Sequence, residues 1–178
     1  MKTKPIRQRG ITLIETCMVL AVGSVLAASA VPSMQDMIAA RRLDNAANQL
    51  ANDIHLARSA AVIRNQSVRV SFLPHAGGSC YVIHTGSAGE CACSGSGPAV
   101  CRGDAREIKT VPMPNAEKIS LVSNVSSVLF DPMHGTSTPT GTLRVVGMGG
   151  REVHHIINVM GRVRSCSPAP TVPGYRAC

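Results

Sequence analysis

The stretch "ITLIETCMVLAVGSVLAASAV", Ile11 to Val31, constrains this chain most: it is a run of 21 residues whose only charge is Glu15. As a helix rising 1.5 Å per residue it reaches about 30 Å, enough to cross the hydrocarbon core of a bilayer. Lys2, Lys4, Arg7 and Arg9 precede it, so the short N-terminus should stay cytoplasmic and the rest face the other side. A secretory signal would be cut after its apolar core. Here the basic leader ends at Gly10, directly before that core, and no convincing small-x-small site follows, so the apolar segment reads as retained.

Beyond Pro32 the pattern changes. Met34, Ile38, Ala47, Leu50, Ile54, Ala57 and Ala61 recur at spacings of three or four, apart from one longer gap, while Arg41, Arg42, Asp44, Asp53, Arg58 and Arg64 fall elsewhere. This is an amphipathic helix. A single rod then runs to about Asn65, loosened at Pro32. Its first half (11–31) needs lipid or sister helices and its second (32–65) needs a globular partner. Residues 66–178 hold β-rich runs between turns: 67–73, 80–84, 106–111, 118–122, 127–130, 142–146 and 152–159. One helix followed by strands implies an α+β class, with an antiparallel sheet packed on the amphipathic half. Arg69 and Arg144 are expected on solvent faces.

Tryptophan is absent and there are two Tyr and two Phe, so aliphatic side chains must build the core and base stacking is unavailable. The net charge of +8 favours acidic partners. Four of the 18 basic residues lie in the leader, however, and without them 14 face 10 acids, a balance of +4. Cys80, Cys91, Cys93, Cys101, Cys166 and Cys178 lie in Gly/Ser/Pro-rich sequence and read as disulfide partners in an oxidising compartment, with fifteen pairings open. Cys17, in the apolar run, reads as a buried free thiol. "TGSAGECACSGSGPAVCRGD" is a long loop with no apolar face, to be held by disulfides. Cys91-x-Cys93 lacks a second ligand pair at zinc-like spacing, with His84 the single nearby candidate, so no metal is assigned.

"RQRGITLIE" resembles the leader of type IV pilins and type II secretion pseudopilins: basic residues, Gly at the cut, an apolar first mature residue, and Glu fifth. The resemblance implies cleavage between Gly10 and Ile11 by a prepilin peptidase and N-methylation of Ile11. It also implies that Glu15 pairs with the terminal amine of a neighbouring pilin subunit during assembly. A carboxylate in an apolar helix costs roughly 2–3 kcal/mol at mid-bilayer and less near an end, so neutralising it favours assembly. "FDPMHGTSTPTGTLRVVG" and "IINVMGRVRSC" resemble FimT/GspH-like minor pilins and pseudopilins. With the N-terminus, the likeness spans nearly the whole chain except the cysteine-rich loop. It implies a pilin fold, residence in the inner membrane with a periplasmic C-terminal domain, and later a place in a pilus.

The chemistry left over is basic. His134, His154 and His155 accompany no nucleophile motif, and adjacent strand residues 154 and 155 point to opposite faces. "GMGG" (147–150) lacks the lysine and helix of a phosphate loop and reads as a hairpin turn. No enzyme and no cofactor is expected. In "GRVRSC" (161–166), an extended segment projects Arg162 and Arg164 to one side about 7 Å apart, near the spacing of successive phosphates on a DNA strand. Arginine grips phosphate with two parallel hydrogen bonds. Gly161 permits a turn, and a Cys166–Cys178 bridge would close the Pro-rich tail into a loop carrying Arg176 to the same end. Arg151 and Arg144 are secondary candidates. In FimT-like minor pilins a C-terminal Gly-Arg-x-Arg motif is associated with DNA uptake in natural transformation, and Gly161, Arg162 and Arg164 match it. The resemblance therefore implies sequence-independent DNA binding, with no recognition helix to read bases. A GspH-like pseudopilin of type II secretion or a priming minor pilin without a DNA role is the alternative, and an adhesin for anionic surfaces a third.

Overall fold

A computed structural model describes residues 12–75, 77–94, 97–169 and 172–178. The Gly10–Ile11 junction lies outside them. The chain divides into two compact units, Met1–Ile38 and Ala39–Cys178, and helix α1 (Leu13–Arg64) contributes to both.

In the first unit α1 starts at Thr12, whose Oγ1 accepts the Glu15 N–H at 3.4 Å. Glu15 thus sits in the first turn, where the helix dipole favours an acid. Backbone helix continues through position 32. Every side chain described between residues 12 and 38 is exposed, and the helix is long and apolar enough to cross a membrane. Cys17 is free, as expected, but exposed on the single chain and not buried. Met34 and Ile38 are exposed too, 64% and 42%, so the buried stripe does not include them.

That stripe belongs to the second unit. Leu43, Ala47, Leu50, Ile54, Ala57 and Ala61 are buried to 1% exposure or less, at spacings of three and four that place them on one helix face. Asn65 ends the helix in the left-handed conformation, φ 48°, and the Gln66 N–H closes the last turn on the Ala61 carbonyl at 3.1 Å. Asp53 departs from the expected outward direction. Its carboxylate is buried, accepting the Tyr81 hydroxyl at 2.7 Å and the Lys109 ammonium at 2.6 Å. Burial first, then the hydrogen bond to Asp53 and its charge, push the Tyr81 hydroxyl far above its ordinary range.

The strands are β1 (Val68–His75), β2 (Gly78–Thr85), β3 (Cys91–Ala92), β4 (Val100–Cys101), β5 (Glu107–Pro114), β6 (Ser120–Ser123), β7 (Ser127–Phe130), β8 (Ser137–Thr138), β9 (Gly141–Val146), β10 (Glu152–Ile157) and β11 (Val163–Cys166). All seven expected runs form strands. They build two antiparallel sheets where one was expected: β5-β2-β1-β7-β8 and β11-β10-β9-β6, besides a β3-β4 hairpin. The chain passes from one sheet to the other at β5–β6, at β6–β7 and at β8–β9, so β6 joins the four-stranded sheet between strands of the five-stranded one. Alternate residues of both sheets, among them Val70, Phe130, Leu143, Val145, Val153 and Ile157, share one core with the α1 stripe.

The cysteine-rich loop covers the opposite face of the five-stranded sheet, where Val82, Cys91 and Ala105 form a small second cluster. Cys80–Cys93 ties the loop to β2, and Cys91–Cys101 joins directly paired residues of β3 and β4. His84 lies beneath it, fully buried, bonded to Ser71 Oγ at 2.8 Å and to the Thr85 carbonyl at 2.9 Å. Arg69, expected on a solvent face, is half-buried and donates to Ser127 Oγ at 2.8 Å, while Arg144 is exposed.

Candidate nucleic-acid interface

The GRVR segment begins in the turn between β10 and β11. Asn158 organises that turn: its N–H donates to the Arg162 carbonyl at 3.1 Å, its carbonyl accepts the Gly161 N–H at 2.9 Å, and its Oδ1 accepts the Arg162 N–H at 2.9 Å. Gly161 has φ +69°, and a Cβ there would meet the Gly135 carbonyl oxygen at 2.5 Å and Arg58 Cδ at 3.0 Å. No side chain fits, so glycine at this position has a steric reason beyond its conformational freedom. Arg58 of α1 donates from Nε to that same Gly135 carbonyl at 2.9 Å, which fastens the 131–136 loop, and with it the turn, to the helix.

From the turn the chain enters β11, the edge of the four-stranded sheet. Val163 packs against the core and Ser165 hydrogen-bonds the buried His155 across the register at 2.8 Å. Alternation then sends Arg164 to the outer face. His155 Nε2 lies by the Ala47 backbone but falls short of a hydrogen bond. Burial drives the imidazole down from its ordinary 6.5 to about 4.

The tail after β11 returns to this edge. Cys166 and Cys178 are bridged, the pairing anticipated for closing the loop. The Ser167 N–H donates to the Arg176 carbonyl at 2.8 Å, and Ser167 Oγ donates to the Glu152 carbonyl at 2.8 Å. Val172 is buried in the core, and the Tyr175 hydroxyl donates to Asp44 of α1 at 3.0 Å. Partial burial and then Asp44 raise that hydroxyl to about 12.

The outcome is a groove of about 490 Å³ with Arg164 and Arg176 on its walls, Ile156 and the Cys166–Cys178 bridge between them. Arg162, Arg164 and Arg176 are exposed, and none of their side chains has a hydrogen bond or ion pair among the described residues. The secondary candidates are placed differently. Arg144 stands 4.0 Å from Glu152, Arg151 is engaged within the chain, and neither lines the groove. Three guanidinium groups on a braced edge suit an extended polyanion; Glu152 on the neighbouring strand lies 4.0 Å from Arg144 and 3.1 Å from His154.

His84, His134 and His155 take structural places. His134 pairs with Asp131 in a surface turn at 3.4 Å, where the His134 and Met133 N–H groups hold the Asp131 carboxyl below its usual range. His154 lies on the outer face and His155 on the inner, and Ser71 beside His84 is buried, out of reach of a substrate. Sequence reading missed the supports of the site, Asp44 with Tyr175 and His155 with Ser165.

A family model described as "Type II transport protein GspH" matches residues 46–161. No curated protein matches the chain. A crystal structure of the type IV minor pilin FimU of Pseudomonas aeruginosa PAO1 superposes at TM-score 0.54 and 18% identity, over 76% of this chain and 95% of that one. A second crystal form gives 0.52 and 18%, over 75% and 98%. At that identity the likeness is one of fold. The family match ends at Gly161, so Arg162, Arg164 and Arg176 lie beyond it.

Proposed function

The chain belongs to the GspH family of type II transport proteins and has the fold of a type IV minor pilin, and from that premise we propose that it is a minor pilin whose C-terminal loop binds DNA through phosphates, in support of DNA uptake. The observation that carries this reading is the pair Arg164 and Arg176 on one groove beside Arg162, without partners among the described residues and on a loop closed by a disulfide and the Tyr175–Asp44 bond. Bracing lowers the entropy lost when the loop engages a ligand. Contact limited to phosphates makes binding independent of sequence and sensitive to salt.

The rest of the life cycle follows the same proposal. Residues 1–10 are the leader, cut by a prepilin peptidase before Ile11, which becomes N-methylated. Residues 11–31 anchor the subunit in the inner membrane and later pack in the pilus core, where Glu15 meets a neighbour's amine. Residues 32–65 and the β-rich 66–178 form the periplasmic part.

Among the described residues the buried core lies between Leu43 and Val172, so residues 39–178 retain it for a soluble assay. Unrelated duplexes should bind this unit equally at low salt, and Arg162→Gln with Arg164→Gln should remove most of the affinity. Absence of wild-type binding, or equal binding by the double variant, refutes the DNA reading. It would leave the GspH-like pseudopilin of type II secretion, or a priming pilin, which the 46–161 match favours by itself.

A further inference from the structure

A second cluster occupies the outer face of the four-stranded sheet. His154 of β10 stands directly across from Cys166 of β11, and the return of the tail sets Cys178 beside both. A ring nitrogen of His154 and the two Sγ atoms lie within 4.8 Å of one another, the only such grouping of three His, Cys, Asp or Glu side chains among the described residues. Glu152 Oε1 is 3.1 Å from His154 Nε2. In the oxidised chain the sulfurs are bonded to each other and cannot serve as ligands. We propose that, when this disulfide is reduced, Cys166, Cys178 and His154 bind a zinc-like divalent cation, with Glu152 in reach of a fourth position, so that the loop has two alternative closures.

The juxtaposition does not depend on the disulfide alone. The Ser167 N–H holds the Arg176 carbonyl at 2.8 Å, the Cys178 N–H holds the Ser167 carbonyl at 3.3 Å, Val172 is buried, and Tyr175 is bonded to Asp44. The two thiols therefore stay neighbours once freed. Two thiolates, an imidazole and a carboxylate are the ligand types of four-coordinate zinc. Each of the other bridges pairs a buried cysteine, Cys80 or Cys91, with a half-buried one, whereas Cys166 is half-buried and Cys178 exposed, so the C-terminal bridge is the most accessible of the three to a reductant. The chemistry balances with a dithiol as reductant: two electrons and two protons pass to the two sulfurs as the dithiol closes to its own disulfide. The cation then displaces both protons to solvent. The site stands whether or not the loop binds DNA.

The test uses the full chain in detergent micelles, reduced without oxygen by a water-soluble phosphine, which leaves as its oxide with an oxygen atom from water. Titration with Co2+ should give one equivalent bound, with a thiolate-to-cobalt charge-transfer band and the ligand-field bands of tetrahedral cobalt, displaced by Zn2+. The oxidised chain should show neither. Since losing only an outer-shell partner costs about 10–100-fold in metal affinity, His154→Ala should weaken Co2+ binding by at least about a hundredfold. Cys166→Ser should abolish it. Alkylation followed by mass spectrometry gives an independent reading: Zn2+ should protect Cys166 and Cys178 in the reduced chain while Cys17 is still modified. No Co2+ bound by the reduced wild type, equal binding by the oxidised chain, or full affinity in a His154→Ala variant with native circular dichroism overturns the proposal. The last outcome would place the metal on the freed cysteines of the 80–101 loop.

Discussion

Protonating His155 should loosen the edge that carries the arginines, and the effect has a definite sign. The imidazole is fully buried and bonded to Ser165 of β11, with its pKa lowered from 6.5 to about 4. Between those two values the unfolded chain binds a proton that the folded chain excludes, so stability is complete above 6.5 and falls as pH drops toward 4. A displacement of about 2.5 units at 1.36 kcal/mol per unit gives a loss of about 3 kcal/mol, with nothing further lost from this group below pH 4. Urea unfolding of residues 39–178 at pH 7 and pH 4.2 measures it. Carboxylates contribute to any acid effect, so the informative quantity is the difference from His155→Gln, which removes the titration. The wild type should lose about 2–3 kcal/mol more than the variant over this interval. Equal losses would refute the assignment of His155 as a buried neutral group.

The electrostatic reading of the groove predicts a salt law. Three phosphate contacts give a slope of log affinity against log salt of about −2.7, or about 40-fold weaker binding from 50 to 200 mM, and Arg164→Gln should reduce the slope to about −1.8. Fluorescence anisotropy on a labelled duplex at four salt concentrations decides it, and an unchanged slope in the variant removes Arg164 from the interface. Asp53→Asn should cost about 1–3 kcal/mol in urea unfolding, because it removes the charge and leaves one oxygen for two donors, so that either Tyr81 or Lys109 faces an NH2 in place of its acceptor. A change below about 0.5 kcal/mol, the usual limit for surface substitutions, would mean that the network adds nothing. Tyr175→Phe deletes the bond to Asp44, costs about 1 kcal/mol, and should speed amide exchange at Ser167 and Cys178. Unaltered exchange there would show that the disulfide alone holds the loop.

Much of the candidate site could be read along the chain. Gly161, Arg162 and Arg164 form a short motif, and its strand and turn follow from local pattern. Its supports were less legible. Asp53 lies three residues after Leu50 and four before Ala57, so helical spacing put it on the buried stripe, yet its charge argued for solvent. The burial of His155 depended on which face of β10 met the core, and alternation alone separates the two histidines without saying which turns inward.

The sequence by itself determined the apolar helix, the amphipathic stripe from Ala47 to Ala61, the seven principal strands and the paired arginines. Each is a repeat or motif spanning a few residues, imposed by the geometry of the backbone. Tertiary structure alone decided the division into two sheets, one disulfide pattern out of fifteen, and the meeting of Arg164 with Arg176 in a groove. It also chose the partners of Asp53 and Tyr175, which lie 56 and 131 positions away at Lys109 and Asp44. Those choices follow from which apolar faces can be buried together, a condition on the whole domain that no local window contains.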